Sequence, residues 1–198
     1  MIDRDKYYLA SGQIGVMGII YLIVFGILGC GAGGFIYAAA TYYSPIIYLN
    51  LALTLGYGFL IGWLVVKACE IGQVRHRIFA LAVGLFFGVL AVYSNRVGWA
   101  TFMYFKFFSE WILVLNPSSI WSFMQLVAVE GYWSYGSGGD PVKGVTLNIV
   151  WFVEVAMILA IVLGYCWKKA AVKPFCERCR KWLSQTGYMS FLETIGQP

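Results

Sequence analysis

The sequence predicts an all-α integral membrane protein with four transmembrane helices and an interfacial or re-entrant helical segment between the third and fourth. Two observations carry that expectation. Hydrophobic residues make up 61% of the 198 and charged residues only 12%. Average soluble domains hold roughly 45–50% apolar and about 25% charged residues, and a compact soluble fold of this size cannot hide so much apolar surface. The apolar residues also fall into long continuous runs of the length a membrane helix needs, about 20 residues. A disordered chain, a secreted disulfide scaffold and a cytosolic enzyme are excluded from the outset.

The four runs are Ile14–Ala40, without charge; Ile46–Ala68, with Lys67 near its end; Ile78–Ser94, shorter and uncharged; and Val145–Trp167, with Glu154 alone. Their continuity argues against β-barrel strands, which alternate over segments of about 10 residues. The first run exceeds the apolar core of a signal peptide, about 7–15 residues, so it is expected to remain as a span although Ala38-Ala39-Ala40 offers small residues for cleavage.

Lys and Arg in the flanks set the orientation. With both termini cytoplasmic, Arg4, Lys6, Lys67, Arg75, Arg77, Lys168, Lys169, Lys173, Arg178, Arg180 and Lys181 lie inside, and only Arg96, Lys106 and Lys143 outside. The expected location is therefore a bacterial inner or plasma membrane, N and C termini cytoplasmic. Positive flanks and attraction to anionic lipid account for the net charge of +5. Scattered basic residues do not form a nucleic-acid patch. The expected division is a bundle over 1–167, which includes the segment 97–143, and a basic cytoplasmic tail over 168–198.

Between the third and fourth runs, Val97–Lys143 is long for a connection without structure of its own. Val97–Leu115 is mostly apolar, with Lys106 and Glu110 spaced to share a helix face. Counting it as a fifth span would move the basic tail outside and bury both charges, so an interfacial or re-entrant helix is expected. Trp99, Trp111, Trp121 and Trp133 suit the headgroup level. Asn116-Pro117-Ser118 reads as a helix start. Ser118, Ser122 and Gln125 then line one face, with Ile120, Phe123, Met124 and Val127 opposite. Gly136 to Pro141 is a turn leading into the fourth run. The segment is read either as a collar over the bundle or as a partner-docking platform.

Gly29/Gly33, Gly58/Gly62 and Gly84/Gly88 each form G-x-x-x-G, which lets a second backbone approach closely. The partner helices could belong to this chain or to another subunit. Gly29 to Gly34 also fits G-x-G-x-x-G, but a dinucleotide fingerprint needs a βαβ unit, not a membrane span.

Glu154 is the main intramembrane ionisable group, about 13 Å from Val145 at about 1.5 Å per residue. A charge at that depth is a functional candidate by default. Proton or cation binding is one role; a helix–helix hydrogen bond is the other. Asn148, Thr54 and Asn50 are its expected polar neighbours. Cysteine chemistry centres on the tail. Cys30 is read as packing. Cys176-Glu177-Arg178-Cys179 supplies half of a tetrahedral zinc site, or an ordinary surface pair. Zinc is thus the candidate cofactor, with Cys69 first and His76 second as ligands from the chain, ahead of Cys166, a symmetry mate or a partner protein. Pro174 is expected to end the last helix close to Lys173, placing the pair on a tight turn.

No catalytic constellation is visible. Functionally, the sequence points to a non-catalytic polytopic membrane subunit or scaffold that packs against other membrane proteins or its own copies within the lipid bilayer. The alternative is a small channel or proton-coupled transporter using Glu154. An enzyme using Glu110, Glu130 or Asp140 ranks last, because their spacing shows no acid–base pairing.

Overall fold

The computed structural model describes residues 16–44, 47–107, 116–131, 141–170, 175–176 and 181–182, and of residues 16, 47, 104–107, 175, 176 and 181 the backbone alone. The fold is all-helical apart from one minimal strand pair: α1 (Val16–Tyr43), α2 (Ile47–Ile71), α3 (Arg77–Phe107), α4 (Pro117–Glu130), α5 (Val145–Lys169), β1 (Phe175–Cys176) and β2 (Lys181–Trp182). Helices α1, α2, α3 and α5 are long and apolar enough to cross a membrane. Their outward faces stay apolar, with Leu28, Ile36, Phe59, Phe86 and Phe152 all exposed. A water-soluble bundle would place polar residues there.

Helix α1 packs on α2 and α3, and α5 packs on the same two, which also touch each other. Helices α1 and α5 therefore occupy opposite corners. Small residues allow the close approaches. A Cβ added at Gly58 would lie 3.3 Å from the Ile158 Cα, and one at Gly62 would lie 3.3 Å from the Val162 Cα. Helices α2 and α5 thus meet nearly backbone to backbone, as this spacing permits. Gly84 and Gly88 face Cys166 and Leu159 of α5, and Gly29 and Gly33 face Leu64 and Tyr57 of α2. All three glycine pairs are occupied by helices of the same chain.

Helix α3 differs from the sequence reading. It does not stop near Ser94 but continues to Phe107, so Val97 to Phe107 belongs to α3 and not to the connection. Arg96 resembles a flanking charge in sequence, but it is paired inside the bundle and does not end the apolar helix. Gly98 is no break either, because it packs against Ala38. The Lys106–Glu110 pairing and the Gly136–Asp140 turn lie outside the described residues.

Helix α4 begins as its sequence implies. Asn116 is the N-cap, its side chain accepting the Ser118 N–H at 3.0 Å, with Pro117 in the first turn. Ile120, Phe123, Met124, Val127 and Ala128 are buried. They pack with Val97, Trp99, Ala100, Val142 and Leu147 in a second apolar cluster. Gly131, at φ 82°, ends the helix, and the Gly144 N–H donates to the Ala128 carbonyl, tying α4 to the start of α5. At about 21 Å for 14 residues, α4 is too short to cross a bilayer.

At the opposite end, Arg77 lies 3.7 Å over the Trp167 ring and donates to the Trp167 carbonyl, capping α5. Helix α5 ends at Lys169, and Ala170 is already extended, earlier than Pro174 alone would require. The two strands pair antiparallel, Phe175 with Trp182 and Cys176 with Lys181. The Trp182 indole donates to the Glu70 carbonyl at 2.7 Å, docking the pair on the end of α2.

Candidate functional site

All four long helices supply side chains to one polar cluster. On α2, Asn50, Thr54 and Tyr57 recur at i, i+4 and i+7 and share a face. On α3, Ala91 and Asn95 are one turn apart, with Arg96 next to them. Helix α1 contributes Tyr37 and α5 contributes Glu154.

Glu154 is the hub. Its Oε2 pairs with the Arg96 guanidinium at 2.7 Å, the two side chains being 17% and 13% exposed. Its Oε1 accepts from the Tyr37 hydroxyl at 2.7 Å and from the Asn95 amide at 3.2 Å. The Tyr37 hydroxyl also lies 2.8 Å from Thr54 Oγ1, which in turn lies 2.8 Å from the Asn50 carbonyl. Arg96 sits 5.5 Å from the Trp151 ring. Below this, Tyr37 stacks on Tyr57 at 4.7 Å between centroids. The Tyr57 hydroxyl donates to the Ala91 carbonyl at 3.2 Å, and the Cys30 thiol donates to the Phe87 carbonyl at 3.2 Å.

A charge buried among apolar helices is tolerable only when it is paired and hydrogen-bonded. The Arg96–Glu154 pair meets that condition with donors from α1 and α3. The side-chain oxygens Asn50 Oδ1 and Asn95 Oδ1 are buried with no hydrogen-bond partner among the described residues. Beyond Cys30, Leu22, Ile61, Val65, Phe87, Ile158 and Val162 pack in one apolar cluster.

Of the neighbours expected for Glu154, Thr54 joins through Tyr37 and Asn50 through its backbone carbonyl. Asn148 is exposed and joins nothing in the cluster. The direct partners Tyr37, Asn95 and Arg96 are not evident from the sequence. Adjacent Asn95 and Arg96 in an otherwise apolar stretch are the available signal that α3 runs on and meets an acid. Glu154 lies about 13 Å from the start of a helix about 37 Å long, nearer the end that carries α4.

Of the candidate zinc ligands, the side chains of Cys69, Cys166 and His76 lie among the described residues. Cys69 is 1% exposed and packs in the core cluster that also contains Cys166. His76 is exposed, and its Nδ1 accepts the Phe79 N–H at 3.0 Å at the start of α3. Cys179 and the Cys176 side chain lie outside the described residues. Among the described residues, no group of three or more His, Cys, Asp or Glu side chains could hold a metal. Glu130 is exposed at the end of α4, while Glu110 and Asp140 lie outside the described residues.

No family model, curated protein or solved structure matches the chain.

Proposed function

We propose that the chain is a non-catalytic polytopic membrane subunit or scaffold that packs against other membrane proteins. The carrying observation is that Glu154 is engaged by Arg96, Tyr37 and Asn95 of its own bundle. Its acid serves cohesion between helices. The glycine faces are likewise occupied internally, so docking falls to the apolar outer flanks and to α4, whose Trp121, Leu126 and Val129 point outward. In this reading α4 lies at the outer membrane face, both termini are cytoplasmic, and zinc at Cys176 and Cys179 is completed from elsewhere. Native mass measurement of complexes extracted in membrane nanodiscs tests the proposal. A defined assembly with a second chain, or of several copies, supports it; a monodisperse monomer contradicts it.

The alternative, a channel or proton-coupled transporter, draws on the polar line from Thr54 through Tyr37 to Glu154. Such a path would have to continue through the apolar half formed by Ile61, Val65, Ile158 and Val162. Equal cation and proton flux in vesicles carrying wild type or Glu154→Gln would remove this alternative.

A further inference from the structure

Helices α3 and α5 bring three cations to one corner of the bundle, at the end opposite α4. Arg77 opens α3, and Lys168 and Lys169 stand in the last turn of α5. The bond from Arg77 to the Trp167 carbonyl spans 90 residues of chain and sets the guanidinium beside the residue that precedes both lysines. The guanidinium carbon lies 3.7 Å from the centre of the Trp167 ring, so the group is held in place. A guanidinium carries five N–H groups; the Trp167 carbonyl accepts from one of its nitrogens, and donors remain for another acceptor. Lys168 and Lys169 are exposed, and neither has a hydrogen bond or ion pair among the described residues.

Little negative charge answers these cations. Of the described carboxylates, Glu130 ends α4, Glu154 is paired with Arg96, and Glu70 is paired with Lys67 at 2.8 Å. The adjoining surface is apolar. Gly84 and Gly88 of α3 meet Cys166 and Leu159 of α5. On the outer side of that contact, Ile78, Leu85 and Val89 recur along one face of α3 and are exposed, as are Ala156 and Trp167 on α5. Bulky residues on α3 beside alanine on α5 leave a shallow apolar groove that ends at the three cations.

We propose that this corner binds an anionic phospholipid, its phosphate held by Arg77, Lys168 and Lys169 and an acyl chain lying along the α3–α5 groove. Arginine suits the phosphate because its planar fork donates to two oxygens at once. Trp167 stands where an indole favours the headgroup level. Basic residues at the ends of neighbouring membrane helices form headgroup sites of this kind, and the apolar groove selects a lipid over a soluble anion. The site is separate from the protein-docking faces of the scaffold reading and does not depend on them.

Native mass spectrometry of the full chain in neutral detergent, titrated with phosphatidylglycerol or with phosphatidylcholine of the same acyl chains, tests the proposal. The first phosphatidylglycerol should bind about tenfold or more tightly than the first phosphatidylcholine. The double variant Lys168→Gln, Lys169→Gln, which leaves Arg77 and its contacts with Trp167 in place, should lose most of that preference. Arg77→Gln should lose it as well. Lys67→Gln removes a charge from the same end but away from the groove, and should keep the preference within about twofold. Inorganic phosphate should not displace the bound lipid. Equal binding of the two lipids overturns the proposal. So does an equal loss in Lys67→Gln, which would mean diffuse attraction and no site at this corner. Displacement by phosphate overturns it too, because the corner would then take a soluble anion.

Discussion

Tyr37 and Glu154 stand on helices at opposite corners of the bundle, yet the tyrosine hydroxyl reaches the carboxylate at 2.7 Å. The link crosses the interior and passes between α2 and α3. Arg96 closes the same carboxylate from α3. Helix packing in lipid has no hydrophobic drive to sort one arrangement from another, so close packing and polar links carry the specificity. At the Glu154 cluster, side chains of all four long helices meet through polar contacts.

Removing one member of the ion pair strands the other. Arg96→Leu or Glu154→Leu alone is expected to lower unfolding stability by about 2 kcal/mol, below the usual figure for fully buried pairs because both side chains keep some exposure. The double variant should lose clearly less than the two single losses combined. Unfolding titrations in mixed micelles check this; simple additivity would mean that the two charges do not interact.

The glycine contacts make a graded test. Gly58→Leu and Gly62→Leu must push α2 away from the α5 backbone, at a cost of about 1–3 kcal/mol. Gly56→Ala and Gly164→Ala face open space and should be neutral or stabilising by up to about 1 kcal/mol, since glycine is a poor helix residue. Thermal denaturation of the four variants separates the classes. Equal losses across them would remove the close-approach explanation.

These features were unevenly legible in the sequence. The four spans could be read because about 20 apolar residues in a row admit few other fates. Helix α4 could be read because Asn116, Pro117 and Ser118 carry a local start signal. The length of α3 could not. Arg96 has the appearance of a flank charge, and its partner is 58 residues away along the chain. Tyr37 likewise resembles an interfacial aromatic until folding brings Thr54 and Glu154 to its hydroxyl. Pairings of this kind are tertiary and have no local periodicity. The glycine spacing was visible, but the identity of the opposing helix was not.

The cap of α4 should matter only locally. Asn116→Ala removes the acceptor for the Ser118 N–H and is expected to cost about 1 kcal/mol. Hydrogen exchange should speed up in the first turn of α4 while α1, α2 and α5 are unchanged. Uniform acceleration across all helices would show that α4 is integral to bundle stability.

Arg77 serves the other end. Arg77→Ala loses both the ring contact and the bond to the Trp167 carbonyl, an expected loss of about 1 kcal/mol. Arg77→Lys should recover only part of it, because an ammonium cannot stack and donate in the same planar geometry. Fluorescence of Trp167, with the other tryptophans replaced by phenylalanine, reports the change. Full recovery by lysine would reduce the contact to charge alone.

The most direct measurement is a double-mutant cycle between Tyr37→Phe and Glu154→Gln, read by equilibrium unfolding in lipid nanodiscs. A Glu154 cluster that joins the opposite corners of the bundle requires a coupling energy of about 1 kcal/mol or more between these two positions. Independent, additive effects would contradict the link on which the cluster is built.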